Sequence, residues 1–258
     1  MTASRGAAPI RFAHRAGGAL APENTLVACA ESIRQGVDAL EIDVRATADG
    51  VPVLMHDETV DRTTDGHGPV ADLTLDRLKR LDAGMWFSPR FRGERVATLE
   101  ETLDLARGRC GVNIELKIGE GRGPLALPFL THIDPAPLVR SVVAAMARVR
   151  FDRPIIFSSF EPKLLALTRA ARADAHLGLI AKWTTRGLSV AHRSVGLQSV
   201  HLHTRLVVPR RVRAARRLGL SIFVWPVKDL DLMRRMLTLG VDGIMCPDPT
   251  LFAQARTA

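Results

Sequence analysis

Short runs of aliphatic and β-branched residues alternate with helical patterns along most of the chain, and this alternation constrains the fold more than any other feature. Eight such runs are strand candidates, at residues 10–14, 39–44, 112–117, 154–159, 176–180, 199–203, 221–227 and 243–246. Helices are predicted in the segments between them, at residues 24–35, 75–81, 99–107, 137–150, 163–172, 209–218 and 230–239. Strands that alternate with helices are typical of a parallel α/β sheet, and eight of them suit a closed TIM (β/α)₈ barrel. A chain of 258 residues is long enough for one such barrel, so we expect a single domain over residues 1–258.

A ninth run, residues 51–56, does not fit the alternation. It follows the second strand across only Thr47-Ala48-Asp49-Gly50, whereas parallel neighbours need a crossover of about a dozen residues or more. We therefore predict an antiparallel hairpin whose extra strand places His56 opposite Asp43, within the uncertainty of one bulge. Residues 57–98 are longer and more irregular than a barrel loop needs, which indicates a small insertion over the barrel mouth after residue 56.

Composition narrows the class of protein. Apolar residues make up 47% of the chain, which is enough for a buried core and excludes a disordered chain. No apolar run approaches the roughly 20 residues of a membrane span, and no signal peptide is visible, so a cytoplasmic enzyme is expected. Three irregularly spaced cysteines (Cys29, Cys110 and Cys246) indicate reduced thiols in the core or the site rather than a disulfide framework.

The chain is strongly basic, with a net charge of +9 that comes from five lysines and 31 arginines against 27 acidic residues. Many basic residues lie on predicted helices, as in Arg210-Arg211 and Arg216-Arg217, where a solvated helix face is the simplest interpretation. The alternative is a surface that attracts an anionic substrate or lipid, including transient contact with a membrane surface. No aromatic residues are interleaved with the basic ones, so a nucleic-acid partner is not expected.

Carboxylates recur on one face of two predicted strands. Glu41 and Asp43 are two residues apart and share a strand face, as do Glu115 and Lys117 in the next parallel strand. Parallel barrel strands are covered on their outer face, so these side chains should point inward, where adjacent carboxylates need a cation. Three carboxylates form an all-oxygen site that suits Mg²⁺ or Ca²⁺, and Lys117 suits an anion that also touches the metal. A structural, salt-bridged pair is the alternative for Glu41 and Asp43 alone.

Two histidines stand at predicted strand ends near these acids. His14-Arg15 closes the first strand, at the end of a barrel where catalytic groups gather, and His56-Asp57 closes the extra strand. A histidine can move a proton near neutral pH, and an arginine can hold a phosphate with two hydrogen bonds. Local hydrogen bonding is the simpler role for either histidine alone, but two of them beside acids favour catalysis.

Several motifs, taken together, resemble the signature of the glycerophosphodiester phosphodiesterases of the PLC-like phosphodiesterase superfamily. The five main ones are His14-Arg15, Ala21-Pro22-Glu23-Asn24-Thr25, Glu41-Ile42-Asp43-Val44, Val53-Leu54-Met55-His56-Asp57 and Glu115-Leu116-Lys117. The match is extended by Ser158-Ser159-Phe160, Val224-Trp225 and Gly240-Val241-Asp242-Gly243-Ile244. It covers nearly the whole chain at family-like spacing, and five ordered motifs are far more specific than any one of them.

The resemblance implies a metal-dependent phosphodiesterase that hydrolyses glycerophosphodiesters to sn-glycerol 3-phosphate and an alcohol. The glycerol 2-hydroxyl is thought to attack phosphorus first, which gives a cyclic phosphate that water then opens. The implied partner is a small-molecule glycerophosphodiester or lysophospholipid.

The resemblance also implies a role for particular residues. One divalent cation, Mg²⁺ or Ca²⁺, would be held by Glu41, Asp43 and Glu115. The acid–base pair would be His14 and His56, in roles that the sequence leaves open. The phosphate would be bound by Arg15 and Lys117, with Trp225 as a candidate substrate contact.

The chain departs from the family pattern at three places. Ala16 precedes Gly17-Gly18 after His14-Arg15, Pro226-Val227-Lys228 follows Trp225, and Cys246-Pro247 ends the last strand. These changes fall at substrate-facing ends rather than at the metal or histidine positions, so they bear on which alcohol is accepted.

Two other functions are open. A lysophospholipase D-type enzyme of the same superfamily would need an apolar groove beside the site, for which Met85-Trp86-Phe87 are candidates, although packing within the insertion is the simpler role for these residues. The secreted phospholipase D toxins fit less well, because they rely on disulfides and lack the insertion. A non-catalytic, polyanion-binding barrel would be expected to lose a key catalytic position, and none is lost here.

Overall fold

The computed structural model describes residues 8–119 and 134–255, and within them strands and helices alternate as predicted. The strands are β1 (Ile10–Ala13), β2 (Ala39–Ala46), β3 (Pro52–Leu54), β4 (Gly111–Leu116), β5 (Ile155–Ser159), β6 (His176–Ala181), β7 (Ser199–His203), β8 (Ser221–Trp225) and β9 (Gly243–Cys246). The helices are α1 (Leu26–Arg34), α2 (Leu75–Arg80), α3 (Leu99–Ala106), α4 (Ala136–Val149), α5 (Pro162–Ala171), α6 (Leu188–Val195), α7 (Pro209–Arg217), α8 (Leu230–Thr238) and α9 (Thr250–Gln254).

Eight of these strands close a parallel barrel. The ring runs β1-β2-β4-β5-β6-β7-β8-β9 and closes through the parallel pairing of β9 with β1, while β3 lies outside it. The predicted TIM barrel with an extra hairpin strand is therefore confirmed. The sequence pattern does not predict helices α6 and α9; α6 is short, starts at a glycine and is rich in Ser, His and β-branched residues, which are weak helix formers.

The barrel strands bury both faces. On β2, Leu40, Ile42 and Val44 point outward into the main apolar core, which the strands share with the surrounding helices. Near the amino ends of the strands the barrel interior is apolar and contains Phe12, Ile156, Phe223 and Met245. The carboxyl ends of the strands are the polar part of the interior, so the fold leaves one end of the barrel for chemistry.

Strand β2 carries two different partners along one edge. Its first residues pair with β1, up to Ala13 opposite Leu40, where β1 ends. Its last residues pair with antiparallel β3, with Val44 opposite Leu54, and the Met55 N–H donates to the Asp43 carbonyl at 3.0 Å. Strands β1 and β3 therefore approach the middle of the same edge from opposite directions.

The segment after β3 has a hydrophobic core of its own. This insertion core consists of Val53, Met55, Val60, Val70, Leu78, Ala83 and Val96, all buried. Helix α2, capped by the Thr74 side chain, lies over it, and short 3₁₀ turns at Val70–Asp72 and Pro89–Phe91 complete the insertion. Because Val53 and Met55 belong to β3 and the residue after it, the insertion supports the extra strand from outside the barrel.

Cys29, Cys110 and Cys246 are free thiols, and all three are buried in the main core, which agrees with the expectation of reduced thiols. Among the described helices, none combines the length and the apolar character that crossing a membrane requires.

Candidate active site

The acidic residues of β2 and β4 meet inside the carboxyl end of the barrel. Asp43 pairs in register with Glu115, and Glu41 is the preceding inward-facing residue of β2. One carboxylate oxygen from each of the three lies within 4.8 Å of the others. Strand alternation alone places Glu41 and Asp43 on one face, and the pairing of β2 with β4 adds Glu115.

The chemistry of this acidic cluster fits a divalent cation. Burial, together with the nearby Asp43 and Glu115 carboxylates, raises the pKa of Glu41 well above its ordinary value. The Arg15 backbone N–H donates to Glu41 Oε2 at 2.8 Å, but this neutral donor does not cancel the charge. Buried carboxylates this close together are stabilised by a metal, and an all-oxygen donor set suits Mg²⁺ or Ca²⁺. These three residues are the ones that could hold it.

Lys117 follows β4 and lies against the same cluster. Its Nζ is 2.9 Å from Glu115 Oε1 and 3.2 Å from Asp43 Oδ1. Although burial opposes it, the attraction of Asp43 and Glu115 raises the pKa of Lys117, which is therefore charged. A lysine in this position offers a fixed positive charge to a phosphate beside the acidic cluster. The geometry is compatible with phosphate binding by Lys117, which stays a prediction.

The chain turns sharply directly after β1. Arg15 and Ala16 adopt left-handed backbone angles, with φ of 51° and 62°, and Gly17 follows at 93°. A Cβ on Gly17 would lie 2.1 Å from Ser32 Oγ on α1, so only glycine fits there. This turn points the Arg15 N–H at Glu41, and it is consistent with strain stored at a functional site.

The Arg15 side chain lies along the cluster. Its Nη1 donates to Glu23 Oε1 at 3.0 Å, and its Nε is 4.0 Å from Asp43 Oδ2. That Nε is buried and has no hydrogen-bond partner among the described residues. A buried, unsatisfied donor on a guanidinium beside a candidate metal site is consistent with the predicted phosphate contact.

His14 lies at the level of Glu41, with its Nε2 3.9 Å from Glu41 Oε2. Burial, with a further contribution from the Arg15 charge, lowers the pKa of His14 to about 3. His14 is therefore neutral at physiological pH in the absence of metal and substrate.

His56 arrives at the same edge of β2 from the other side. The structure places Met55, not His56, opposite Asp43, so the predicted register was wrong by one residue. Burial lowers the pKa of His56, and the attraction of the Asp43 carboxylate opposes this shift only in part. The His56 Nδ1 is 2.6 Å from Asp57 Oδ1, which fixes the orientation of the ring.

A chain of ion pairs links the two histidine segments, and the sequence did not reveal it. The Arg62 Nε donates to Asp57 Oδ2, and its Nη2 donates to Glu23 Oε1 at 2.7 Å. Glu23 also accepts from Arg15, so the chain runs from Arg15 through Glu23 and Arg62 to Asp57 and His56. Arg62 lies in the insertion, and only the folded insertion brings it between two segments that are distant in sequence.

Two more residues position the site. Arg45, the third inward-facing residue of the run Glu41, Asp43 and Arg45, donates to the His56 carbonyl at 3.0 Å and to the Ile118 carbonyl at 3.2 Å. Asn24 Nδ2 donates to Asp43 Oδ2 at 2.8 Å, while the Asp43 N–H donates to Asn24 Oδ1. The strand alternation could have identified Arg45, but nothing in the sequence gives its partners.

Trp225 ends β8 and forms an aromatic wall beside the histidine. Its ring centroid is 6.5 Å from that of His14, 5.8 Å from that of Phe160 and 5.1 Å from that of His203. Its Nε1 donates to the His201 carbonyl at 3.1 Å. Trp225 is thus close enough to the site for the predicted substrate contact.

Comparison with known proteins agrees with this geometry. Residues 14–251 match the sequence model of the glycerophosphoryl diester phosphodiesterase family. The chain belongs to this family. The resemblance drawn from the five motifs is thereby confirmed, and the protein is an enzyme of the phosphoric diester hydrolase class.

Individual members of the family are similar over nearly their whole length. A glycerophosphodiester phosphodiesterase of Caldanaerobacter subterraneus is 34% identical over 249 residues, which cover 92% of this chain and 93% of the relative. A solved phosphodiesterase of Oleispira antarctica, in complex with the product sn-glycerol-3-phosphate, has a TM-score of 0.87 and 26% identity, and the match covers 97% of each chain. A solved glycerophosphodiester phosphodiesterase of Agrobacterium tumefaciens has a TM-score of 0.79 and 31% identity, covering 96% of this chain and 100% of the other.

Proposed function

We propose that this enzyme hydrolyses glycerophosphodiesters to sn-glycerol 3-phosphate and an alcohol, with His14 and His56 as the acid–base pair. The observation that carries the proposal is the arrival of β1 and β3 at one edge of β2, which brings both histidines beside the acidic cluster. The product bound to the Oleispira antarctica phosphodiesterase supports the choice of product.

Glu41, Asp43 and Glu115 would hold one divalent cation, Mg²⁺ or Ca²⁺. When bound, the cation supplies Lewis-acid stabilisation of the charge that develops on the phosphate. Arg15 and Lys117 would bind the phosphate oxygens from either side of the cluster, the first through a planar guanidinium and the second as a point charge.

The reaction needs no nucleophile from the protein, because the substrate carries its own hydroxyl. The glycerol 2-oxygen forms a bond to phosphorus as the bond from phosphorus to the alcohol breaks, which leaves a cyclic phosphate. One histidine takes the proton of the 2-hydroxyl, and the other donates a proton to the departing alcohol. Water then opens the ring with the two roles reversed. Each proton transfer contributes about 10²- to 10⁴-fold to the rate.

Hydrolysis of glycerophosphoethanolamine, followed as release of glycerol 3-phosphate, tests the proposal. We expect EDTA to abolish activity, and either Mg²⁺ or Ca²⁺ to restore it. Activity that survives thorough chelation would exclude the metal assignment, and hydrolysis that yields phosphoethanolamine and glycerol would exclude the proposed bond cleavage.

A lysophospholipase D-type activity is the second candidate, and one observation favours it. Met85 and Trp86 of the insertion are each 38% exposed, and the Arg62 guanidinium carbon lies 6.0 Å from the centre of the Trp86 ring. These apolar side chains therefore lie beside the ion-pair chain of the site, where an acyl chain could lie. Release of choline from lysophosphatidylcholine at a rate comparable with that from glycerophosphocholine would support this activity. If lysophosphatidylcholine is not hydrolysed, the lysophospholipase D-type activity is excluded and the enzyme acts on glycerophosphodiesters without an acyl chain.

A further inference from the structure

One long segment of the chain contains no carboxylate side chain. Between Asp174 and Asp229 the sequence has no aspartate and no glutamate, although it has ten lysines and arginines. This segment forms β6, α6, β7, α7 and β8, so a whole sector of the barrel is cationic.

Three cations of this segment lie in the loops at the barrel mouth. Lys182 directly follows β6, Arg205 lies in the short turn after β7, and Lys228 lies three residues after the end of β8. All three are exposed, and among the described residues none of them forms an ion pair with a carboxylate. The carboxyl ends of parallel strands meet at one end of a barrel, so these loops share a face with the acidic cluster.

Two of the three cations lie against the Trp183 ring, and all three act on His203. The Lys182 Nζ and the Arg205 guanidinium carbon lie 5.4 Å and 5.6 Å from the centre of the Trp183 ring, and Trp183 is 70% exposed. His203 faces the same charges, because Arg205, Lys182 and Lys228, after burial, all lower the pKa of His203.

This group is continuous with the candidate active site. The His203 ring packs edge-on against Trp225 at 5.1 Å, and Trp225 lies next to His14. Asp229 accepts from the Leu232 N–H and Asp248 accepts from Thr250, and among the described residues neither carboxylate forms an ion pair with the three cations. The opposite side of the mouth differs, because its arginines Arg15 and Arg62 are each paired with acids.

We propose that Lys182, Arg205 and Lys228 form a subsite for an anionic group on the alcohol part of the substrate. The inference rests on the proposed function, and it follows from the chemistry of the diester. The glycerol end carries only hydroxyls besides the shared phosphate, so a further charge on the substrate must lie on the alcohol. Unpaired cations favour a phosphate there and oppose a quaternary ammonium.

A matched pair of substrates tests the proposal. The kcat/KM of the enzyme is measured for glycerophosphoinositol 4-phosphate and for glycerophosphoinositol, which differ only by one phosphate, and for glycerophosphocholine. We expect kcat/KM to be highest for glycerophosphoinositol 4-phosphate, lower for glycerophosphoinositol and lowest for glycerophosphocholine. The phosphorylated compound should be preferred about tenfold over the unphosphorylated one, because each exposed cation contributes roughly threefold or less. The preference should shrink as the salt concentration rises.

Charge removal gives the second arm. In the triple variant Lys182→Gln, Arg205→Gln, Lys228→Gln, the ratio of kcat/KM between the phosphorylated and the unphosphorylated compound should fall about tenfold. The control variant Arg140→Gln, Arg213→Gln, Arg217→Gln removes the same charge from exposed helix positions and should leave this ratio unchanged.

The outcomes separate the two proposals. If the wild-type enzyme hydrolyses none of the three diesters, the proposed function fails. If it hydrolyses all three with no preference, or if the control variant changes the ratio as much as the triple variant, the subsite is excluded. An anionic lipid surface is the other source of the same chemistry. If the triple variant loses binding to phosphatidylglycerol vesicles but keeps the wild-type ratio, the cations serve the lipid surface and the subsite is again excluded.

Discussion

Arg15 connects several parts of the site. Its left-handed backbone directs its N–H to Glu41, and its guanidinium contacts Glu23 while lying 4.0 Å from Asp43. The turn also requires Gly17, because Ser32 occupies the space of a Cβ. A single strained turn thus positions His14 on one side and a cation on the other.

His14 and His56 should be indispensable if they transfer protons. We expect His14→Ala and His56→Ala each to lower kcat by at least about a hundredfold, because each removes one proton-transfer group. Glycerol 3-phosphate release at saturating metal measures this effect. A loss of tenfold or less in both variants would remove them from the chemistry, and metal titration of each variant separates such a loss from weakened metal binding.

Arg62 should act on catalysis through Asp57 and His56. We expect Arg62→Met to lower kcat about 10- to 100-fold with a smaller change in KM, because His56 loses its fixed orientation. The Arg62 hydrogen bond helps to hold the pKa of Asp57 at about 2, and without it the Asp57 charge is less compensated. The pKa of His56 should then rise, so the limb of the kcat/KM profile that reports His56 should move to higher pH.

The matched control for Arg62 is Arg80→Met, which removes an exposed i,i+4 ion pair with Asp76 in the same insertion. Such pairs contribute little to stability, so activity and pH profile should match the wild type. An Arg62 variant with a wild-type pH profile and a loss of melting temperature alone would show that Arg62 is only structural.

Among the elements of the fold, β2 organises the site. Its inward-facing residues supply two carboxylates and Arg45. The edge of β2 that does not pair with β4 pairs first with β1 and then with β3. The sequence predicted the face of β2 and the antiparallel direction of β3 from period and loop length. It missed the register by one residue, because a short hairpin fixes register through turn geometry that the pattern of apolar residues does not specify.

The insertion core should be required for catalysis more than for overall stability. Leu78→Ala in α2 leaves a cavity in this core and should cost about 2–5 kcal/mol of local stability. We expect faster hydrogen exchange across residues 57–98 and a reduced kcat, since β3 and Arg62 depend on this core. If Leu78→Ala keeps full kcat despite faster exchange, the insertion does not position the site.

The control for Leu78 is Leu103→Ala in α3, which is equally buried but lies in the main core. This variant should lower the melting temperature while preserving activity in the cold. We propose that the chain, residues 1–258, forms one barrel domain with this insertion, and a single melting transition would support the proposal.

Across the whole molecule, the barrel buries neutral histidines. Burial lowers the pKa of His201 to about 3, far below its ordinary value of 6.5, and the nearby His176 lowers it further. Between about pH 3 and pH 6.5, His201 is therefore protonated in the unfolded chain and neutral in the folded chain. Stability attributable to His201 is fully present above pH 6.5 and declines as the pH falls towards 3, by up to about 1.4 kcal/mol per pH unit.

Urea denaturation at a series of pH values measures this effect. We expect His201→Gln to reduce the pH dependence of the unfolding free energy between pH 6 and 4 by about one proton. The control is His67→Gln, since the His67 side chain is 87% exposed and meets solvent in both states. Equal slopes in wild type and His201→Gln would show that this histidine does not govern the acid limit of stability.

Local sequence patterns account for most of the elements, their inward faces and the residue types of the site. Strand period, helix pattern and turn residues are local properties, so eight alternating strands, the carboxylates of β2 and β4 and both histidines can be identified from the amino-acid sequence alone. The five ordered motifs added the family, which the comparisons confirmed.

Which distant residues meet depends instead on the tertiary structure. The ion-pair chain through Arg62, the carbonyls held by Arg45 and the cationic sector beside Trp225 all join segments that are far apart in sequence. Their distances depend on barrel closure and on the packing of the insertion, which no local periodicity encodes. For the same reason the reaction class could be inferred from local motifs, whereas the proposed subsite for an anionic alcohol rests on the arrangement of three loops at the barrel mouth.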